Sequence, residues 1–253
     1  MTRLLPLCSA LLLLAGIASA ADDYAAKSFT GTQGVLPYRI LAPAGIAAGT
    51  KYPLVIFLHG AGERGSDNQK QLAHGGALFM DPKNRAAYPA FVVFPQCPDD
   101  KRWVEVDWSD SKPHQQPNEP SVPMALLLDL IPSLITSLPI DSSRVYVMGL
   151  SMGGFGTWDI VARRPNGFAA AVPICGGAAD ATAPLLAKLP VWAFHGDQDP
   201  TVKVGRTRSM IAALKQAGGD PKYSELPGVQ HNAWDAALAE PGLLPWLFAQ
   251  KRH

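Results

Sequence analysis

The segment Gly149-Leu150-Ser151-Met152-Gly153 has the form G-x-S-x-G. A serine hydroxyl becomes a useful nucleophile when a neighbouring base takes its proton. The segment also sits in the setting such a turn needs. An apolar run, Arg144 to Gly149, leads directly into it, and a helical pattern from Met152 leads out. A side chain at Gly149 or Gly153 would collide across so sharp a turn. Ser151 is therefore expected at the N-terminus of a helix, where backbone N–H groups favour developing negative charge. The chemistry this implies is acyl transfer.

In this strand–turn–helix arrangement the acid and then the histidine follow the nucleophile in the chain. Of the six histidines, His59, His74 and His114 precede Ser151 and His195, His231 and His253 follow it. His195 comes before the candidate acid, and His253 is the last residue. His231, in a loop after the last apolar run, is expected to serve as general base and then general acid. The stretch His195-Gly196-Asp197-Gln198-Asp199-Pro200 offers two carboxylates. Asp199 lies further into the loop, beside a proline that fixes the turn, and is preferred. Asp197 is the alternative, and otherwise suits a turn or a cap.

Two N–H groups must meet the oxyanion that acyl transfer generates. One is expected from Met152. The other is expected from His59-Gly60-Ala61-Gly62, with Ala61 the first choice of donor and Gly60 the second. Small residues there let backbone approach a substrate. His59 reads as a brace for this loop. No cofactor is called for, and the spacing of Cys97 and Cys175 supports no metal site.

These residues need a frame. Short apolar runs at 53–58, 91–94, 144–149, 169–174 and 191–194, and a weaker one at 223–226, are each closed by Gly or Pro or lead into a loop. Such runs suit strands buried on both faces. Helical spacing predicts helices over 122–138, capped by Ser121 and kinked at Pro132, over 152–164, and over 202–217 with Gly218-Gly219 as a stop. Residues 25–41 read as one or two strands with a turn at Gly31–Gly34. Strands alternating with helices give an α/β fold with a mostly parallel central sheet flanked by helices. The stretch from Pro95 to Pro123 is irregular and proline-rich, which suggests a functional or mobile segment.

The chain has 253 residues, 47% hydrophobic and 17% charged, with 23 Gly, 23 Pro and a formal charge of +1. It is too apolar for intrinsic disorder, and its charge gives no reason to expect nucleic acid as a partner. Arg3, an apolar stretch from Leu4 to Ile17 and a close at Ala18-Ser19-Ala20 have the build of a secretory signal peptide. Cleavage after Ala20 leaves a formally neutral chain and one domain, residues 21–253, that is secreted or periplasmic and has no membrane partner. Cys8 lies before the apolar stretch, which argues against lipidation. Cys97 and Cys175 follow strands that are not neighbours, so two buried thiols are expected rather than a bridge.

With these residues placed, the sequence resembles the α/β-hydrolase superfamily. More narrowly it is similar to the secreted esterase and predicted-peptidase group related to polyhydroxybutyrate depolymerases, feruloyl esterases and dienelactone hydrolases. The matching pieces are 57–65 (Phe57 to Gly65), Pro95-Gln96-Cys97-Pro98, 141–154, Pro173 to Gly177, His195 to Asp199 and His231-Asn232-Ala233-Trp234. The resemblance implies an α/β-hydrolase fold and a Ser151–Asp199–His231 triad. Dienelactone hydrolases proper carry Cys where this chain carries Ser151. The resemblance thus implies a serine esterase acting on a small-molecule or polymer-linked ester. A peptidase with the same machinery is the alternative, and a non-catalytic binding module a remoter one. Glu63 could contact substrate or pair with Arg64. Trp103 and Trp108 could stack on an aromatic or sugar group, or pack as a lid. Asp141 and Arg144 are expected to shape a turn.

Overall fold

The computed structural model describes residues 23–252. The expected leader with its cleavage site, Cys8, and His253 lie outside them. Eight strands form one sheet among the described residues: β1 (Ala25–Gly31), β2 (Gly34–Leu41), β3 (Tyr52–Leu58), β4 (Phe91–Pro95), β5 (Ile140–Leu150), β6 (Ala170–Ile174), β7 (Trp192–Gly196) and β8 (Lys222–Leu226). Their order is β1-β2-β4-β3-β5-β6-β7-β8. β1 and β2 pair antiparallel, as do β2 and β4, and the remaining pairs are parallel.

The middle of the sheet is buried on both faces because β3, β4 and β6 are apolar at every position, while the edge strands β1 and β8 carry polar residues and stay partly exposed. All seven residues of β3 are buried. Leu54, Ile56 and Leu58 enter one hydrophobic cluster, while Val55 and Phe57 enter the other. The helices are α1 (Gly76–Met80), α2 (Pro82–Ala87), α3 (Val122–Ser137), α4 (Met152–Arg163), α5 (Ala183–Leu186), α6 (Gly205–Gln216), α7 (Ala233–Ala239) and α8 (Leu243–Ala249). Side chains of α3, α4 and α6 fill the first cluster, and those of α1, α7 and α8 the second. Ser121 caps α3 by accepting from the Met124 amide, and α3 runs on through Pro132 without interruption. The five shorter helices carry fewer than two turns each. Their pattern is too brief to read without the surface they cover.

From β3 the chain goes to β4 on one side and returns to β5 on the other. The sheet order therefore reverses between β3 and β5. Loops leaving such a switch point diverge and open a crevice at the strands' carboxyl ends. His59-Gly60 leaves β3 there, and Ser151 leaves β5.

The stretch 95–123 is pinned down. Trp103 is fully buried and its indole donates to His59 O at 3.1 Å. Arg206, fully buried on α6, donates to Asp107 O at 2.9 Å and Asp110 O at 3.0 Å, and its Nη2 lies 2.7 Å from His114 Nδ1. Arg163 on α4 donates to the carbonyls of Pro117, Asn118 and Glu119. Cys97 and Cys175 are buried and unbridged; two strands, β3 and β5, separate the strands they follow. Asp141 accepts from the Ser143 amide and pairs with Arg144 at 2.8 Å, at the strand's start. No described helix is long and apolar enough to cross a membrane.

Candidate active site

Ser151 connects β5 to α4 with φ 53° and ψ −118°, a conformation rare for a residue with a side chain. Its neighbours make the turn possible. A β-carbon on Gly149 would lie 2.5 Å from Gly153 O, and one on Gly153 would meet Leu58 O. The Ser151 amide donates to Ile174 O at 2.9 Å, so β6 helps hold the strained turn.

Ser151 Oγ lies 2.8 Å from His231 Nε2, and His231 Nδ1 lies 2.7 Å from Asp199 Oδ2. An ionised Asp199 only accepts, so Nδ1 carries the proton and Nε2 is free to accept from the serine hydroxyl. Asp199 Oδ1 accepts from the amides of Thr201 at 2.8 Å and Val202 at 2.9 Å. Burial alone would raise this carboxyl. The hydrogen bonds from His195, His231 and the Val202 amide outweigh it and hold Asp199 below the usual carboxylate range.

Asp197 has a different task. Its Oδ1 accepts from the Gly228 amide at 2.7 Å, while Gln198 N donates to Val229 O at 3.0 Å. These bonds zip the loop after β7 to the loop after β8, and so set the distance between Asp199 and His231.

The loop after β3 rests on His59. Its Nε2 accepts from the Cys97 amide at 3.0 Å, so Nδ1 bears the proton and donates to Gly60 O at 2.6 Å. Burial pushes the ring down to about 4, and it stays neutral at ordinary pH. Gly60 leads into a 3-10 turn, Ala61–Glu63. A β-carbon on Gly60 would lie 3.6 Å from Ser151 Cβ, which puts this loop against Ser151. Met152 opens α4, so its N–H is one of those a helix start leaves without an intrahelical partner.

Trp103 offers no stacking surface to a substrate: it is buried beneath the oxyanion loop and packs on Gly156. Trp108 is half-buried, with the Arg102 guanidinium over one ring face at 4.4 Å. Glu63 does not pair with Arg64, which instead donates to Ala61 O at 2.9 Å and Lys101 O at 3.3 Å. The Glu63 carboxylate faces His74, 3.7 Å away, an ion pair only when His74 is protonated.

Two residues with no expected part in the site stand directly beside it. His195 Nε2 lies 3.2 Å from Asp199 Oδ2, and Cys175 holds φ 40° behind the triad. Donor atoms of Cys175, Asp199 and His231 lie within 4.8 Å of one another. Burial pushes the Cys175 thiol far up, so it packs as a neutral side chain. Burial likewise pushes Cys97 up to about 12.

Residues 46–240 match the family described as phospholipase/carboxylesterase. The chain belongs to that family. This family member is also similar to a thermostable esterase of known structure, at 35% identity and TM-score 0.85, over 92% of this chain and 64% of that one. It thus spans 64% of that esterase's length. A ferulic acid esterase matches at 16% identity and TM-score 0.66, over 89% of this chain and 97% of its own. The Pyrococcus horikoshii acylaminoacyl peptidase matches at 14% identity and TM-score 0.66, over 91% and 42%. The last two likenesses establish the α/β-hydrolase fold alone. No curated protein matches the chain.

Proposed function

We propose that this family member is an exported serine hydrolase that cleaves carboxylic esters through an acyl-enzyme intermediate. The observation that carries the proposal is the unbroken run from Ser151 Oγ to His231 Nε2 at 2.8 Å and from His231 Nδ1 to Asp199 Oδ2 at 2.7 Å.

In the first half-reaction the Ser151 oxygen bonds to the ester carbonyl carbon while its proton passes to His231 Nε2. Asp199 stabilises the resulting imidazolium and keeps its ring oriented. The carbonyl oxygen becomes an oxyanion facing the Met152 and Ala61 amides, with Gly60 lining the approach. The tetrahedral intermediate collapses, the C–O bond to the alcohol breaks, and His231 returns the proton to the leaving oxygen. In the second half-reaction His231 takes a proton from water, which attacks the acyl-enzyme. Collapse expels Ser151 Oγ, which recovers its proton, and the carboxylic acid leaves. Every proton and bond is accounted for by these residues and water.

The apolar stretch Leu4 to Ile17 closed by Ala18-Ser19-Ala20 supports export. The ester is a small molecule or a group on a polymer. The 35% identity to an esterase favours esters over peptides. The test is turnover of a short 4-nitrophenyl ester together with labelling by a fluorophosphonate probe. Ser151→Ala should abolish both, and undiminished turnover by that variant would overturn the reading.

A further inference from the structure

The Glu63 carboxylate and the nucleophile border the same small space. A β-carbon built on Gly60 would lie 2.9 Å from Glu63 Oε2 and 3.6 Å from Ser151 Cβ. Glu63 ends the 3-10 turn that begins at Ala61, the expected oxyanion donor, so backbone geometry fixes where its side chain starts. Two neighbouring groups could have taken the carboxylate out of play. Arg64 points away onto two carbonyls, His74 stands beyond hydrogen-bond distance at 3.7 Å, and no described donor hydrogen-bonds either carboxylate oxygen. The side chain is 15% exposed, so it is largely withdrawn from bulk water without a firm partner.

An anion in this position is costly for ester cleavage. Negative charge develops on the carbonyl oxygen in the transition state, and a second negative charge nearby opposes it. A substrate that brings its own positive charge reverses the sign, because a cation between the carboxylate and the oxyanion is attracted to both.

We propose that Glu63 selects esters carrying a cationic group, an ammonium, within a few bonds of the scissile carbonyl. The inference rests on the ester-hydrolase reading and deepens it by naming a substrate class. The ammonium can come from either side of the ester. An amino-acid ester carries it on the acyl part, and a choline ester carries it on the alcohol part.

The experiment uses two pairs of esters that differ in little but charge. Alanine ethyl ester is set against ethyl 2-methylpropanoate, and butyrylcholine against 3,3-dimethylbutyl butyrate, at neutral pH, where the amine is still largely protonated and an ordinary imidazole is mostly neutral. The wild type should prefer the cationic member of at least one pair by about tenfold in kcat/KM, and the pair that responds identifies the side. Glu63→Gln, which keeps shape and removes charge, should lower that cationic-to-neutral ratio by about tenfold, and Glu63→Lys should push it below one. Added salt should shrink the preference in the wild type and leave the Glu63→Gln ratio flat. Equal ratios in wild type and Glu63→Gln would overturn the inference while leaving the ester-hydrolase reading intact. Failure of the folded wild type on all four esters would overturn both.

Discussion

His195 Nε2 lies 3.2 Å from Asp199 Oδ2, the oxygen that also accepts the proton of His231 Nδ1. His195 is fully buried; its Nδ1 meets Thr207 Oγ1 at 2.7 Å, and Thr207 donates to Gly176 O at 3.0 Å. Asp199 is thus held from behind by a second imidazole anchored to α6. His195→Gln should lower kcat on a 4-nitrophenyl ester by about tenfold, through a misplaced Asp199. Asp199→Asn should cost roughly 10³–10⁴, because it removes the charge that fixes the His231 tautomer. Steady-state kinetics on both variants checks the ordering. A His195 variant as damaged as the Asp199 one would mean that His195 does more than position.

The elbow depends on glycine for a reason that packing makes specific. A β-carbon on Gly153 would enter the Leu58 carbonyl, which belongs to β3 and cannot retreat without disturbing the oxyanion loop. Gly153→Ala should therefore cost roughly 3 kcal/mol in urea unfolding and lower turnover as well. A variant with wild-type stability and rate would show that the turn can spread.

Acid should weaken the fold before it protonates the carboxylates. His59 titrates near 4 in the folded chain against an ordinary value of 6.5, because burial disfavours its charged form. Burial and the nearby Arg206 charge push His114 down to about 4 as well. Below pH 6.5 the unfolded chain takes up protons that the folded chain refuses. Stability is therefore fully present above 6.5 and falls progressively as pH drops towards 4, by roughly 3 kcal/mol for His59 alone. Asp199, held low, adds its loss at more acidic pH, from the range where free carboxyls titrate downwards. Urea titrations across this range should give a shallower slope for His59→Asn, and parallel slopes would contradict the assignment.

Arg206 is the tie between α6 and the 107–114 loop. Arg206→Met leaves the carbonyls of Asp107 and Asp110 without their charged donor and should cost roughly 2–4 kcal/mol. Hydrogen exchange should rise first in that loop. Protection there equal to the wild type would mean that Trp103 and Arg163 suffice to hold it.

Both described thiols should be silent. Cys97 and Cys175 are buried, and burial keeps them protonated. The native chain from residue 21 onward should not react with a thiol-exchange reagent, and in denaturant it should release two equivalents. A native reaction would require local opening behind the triad.

The parts of this protein that repeat along the chain were legible from the chain itself. The apolar runs are strands because nothing polar interrupts them. The elbow is recognisable because Gly149, Ser151 and Gly153 must stand in that spacing, directly between a strand and a helix. The order of Ser151, Asp199 and His231 follows from where the loops of such a sheet can meet. Pairing across the fold has no such periodicity. Trp103 looked available for a ligand and is instead roofed over by the oxyanion loop, because only the folded chain brings residue 103 beneath residue 59. Arg206 and His195 carry ordinary-looking positions in a helix and a strand, yet each holds a distant segment through hydrogen bonds. Glu63 and Arg64 are neighbours in sequence and part company in space, because carbonyls of Ala61 and Lys101 compete for the guanidinium. Sequence determined the strands, the sharp turn at Ser151 and the order of Ser151, Asp199 and His231, since these are local or periodic. Tertiary structure alone decided which buried polar groups brace them, because a hydrogen bond is set by distance in space and not by distance along the chain.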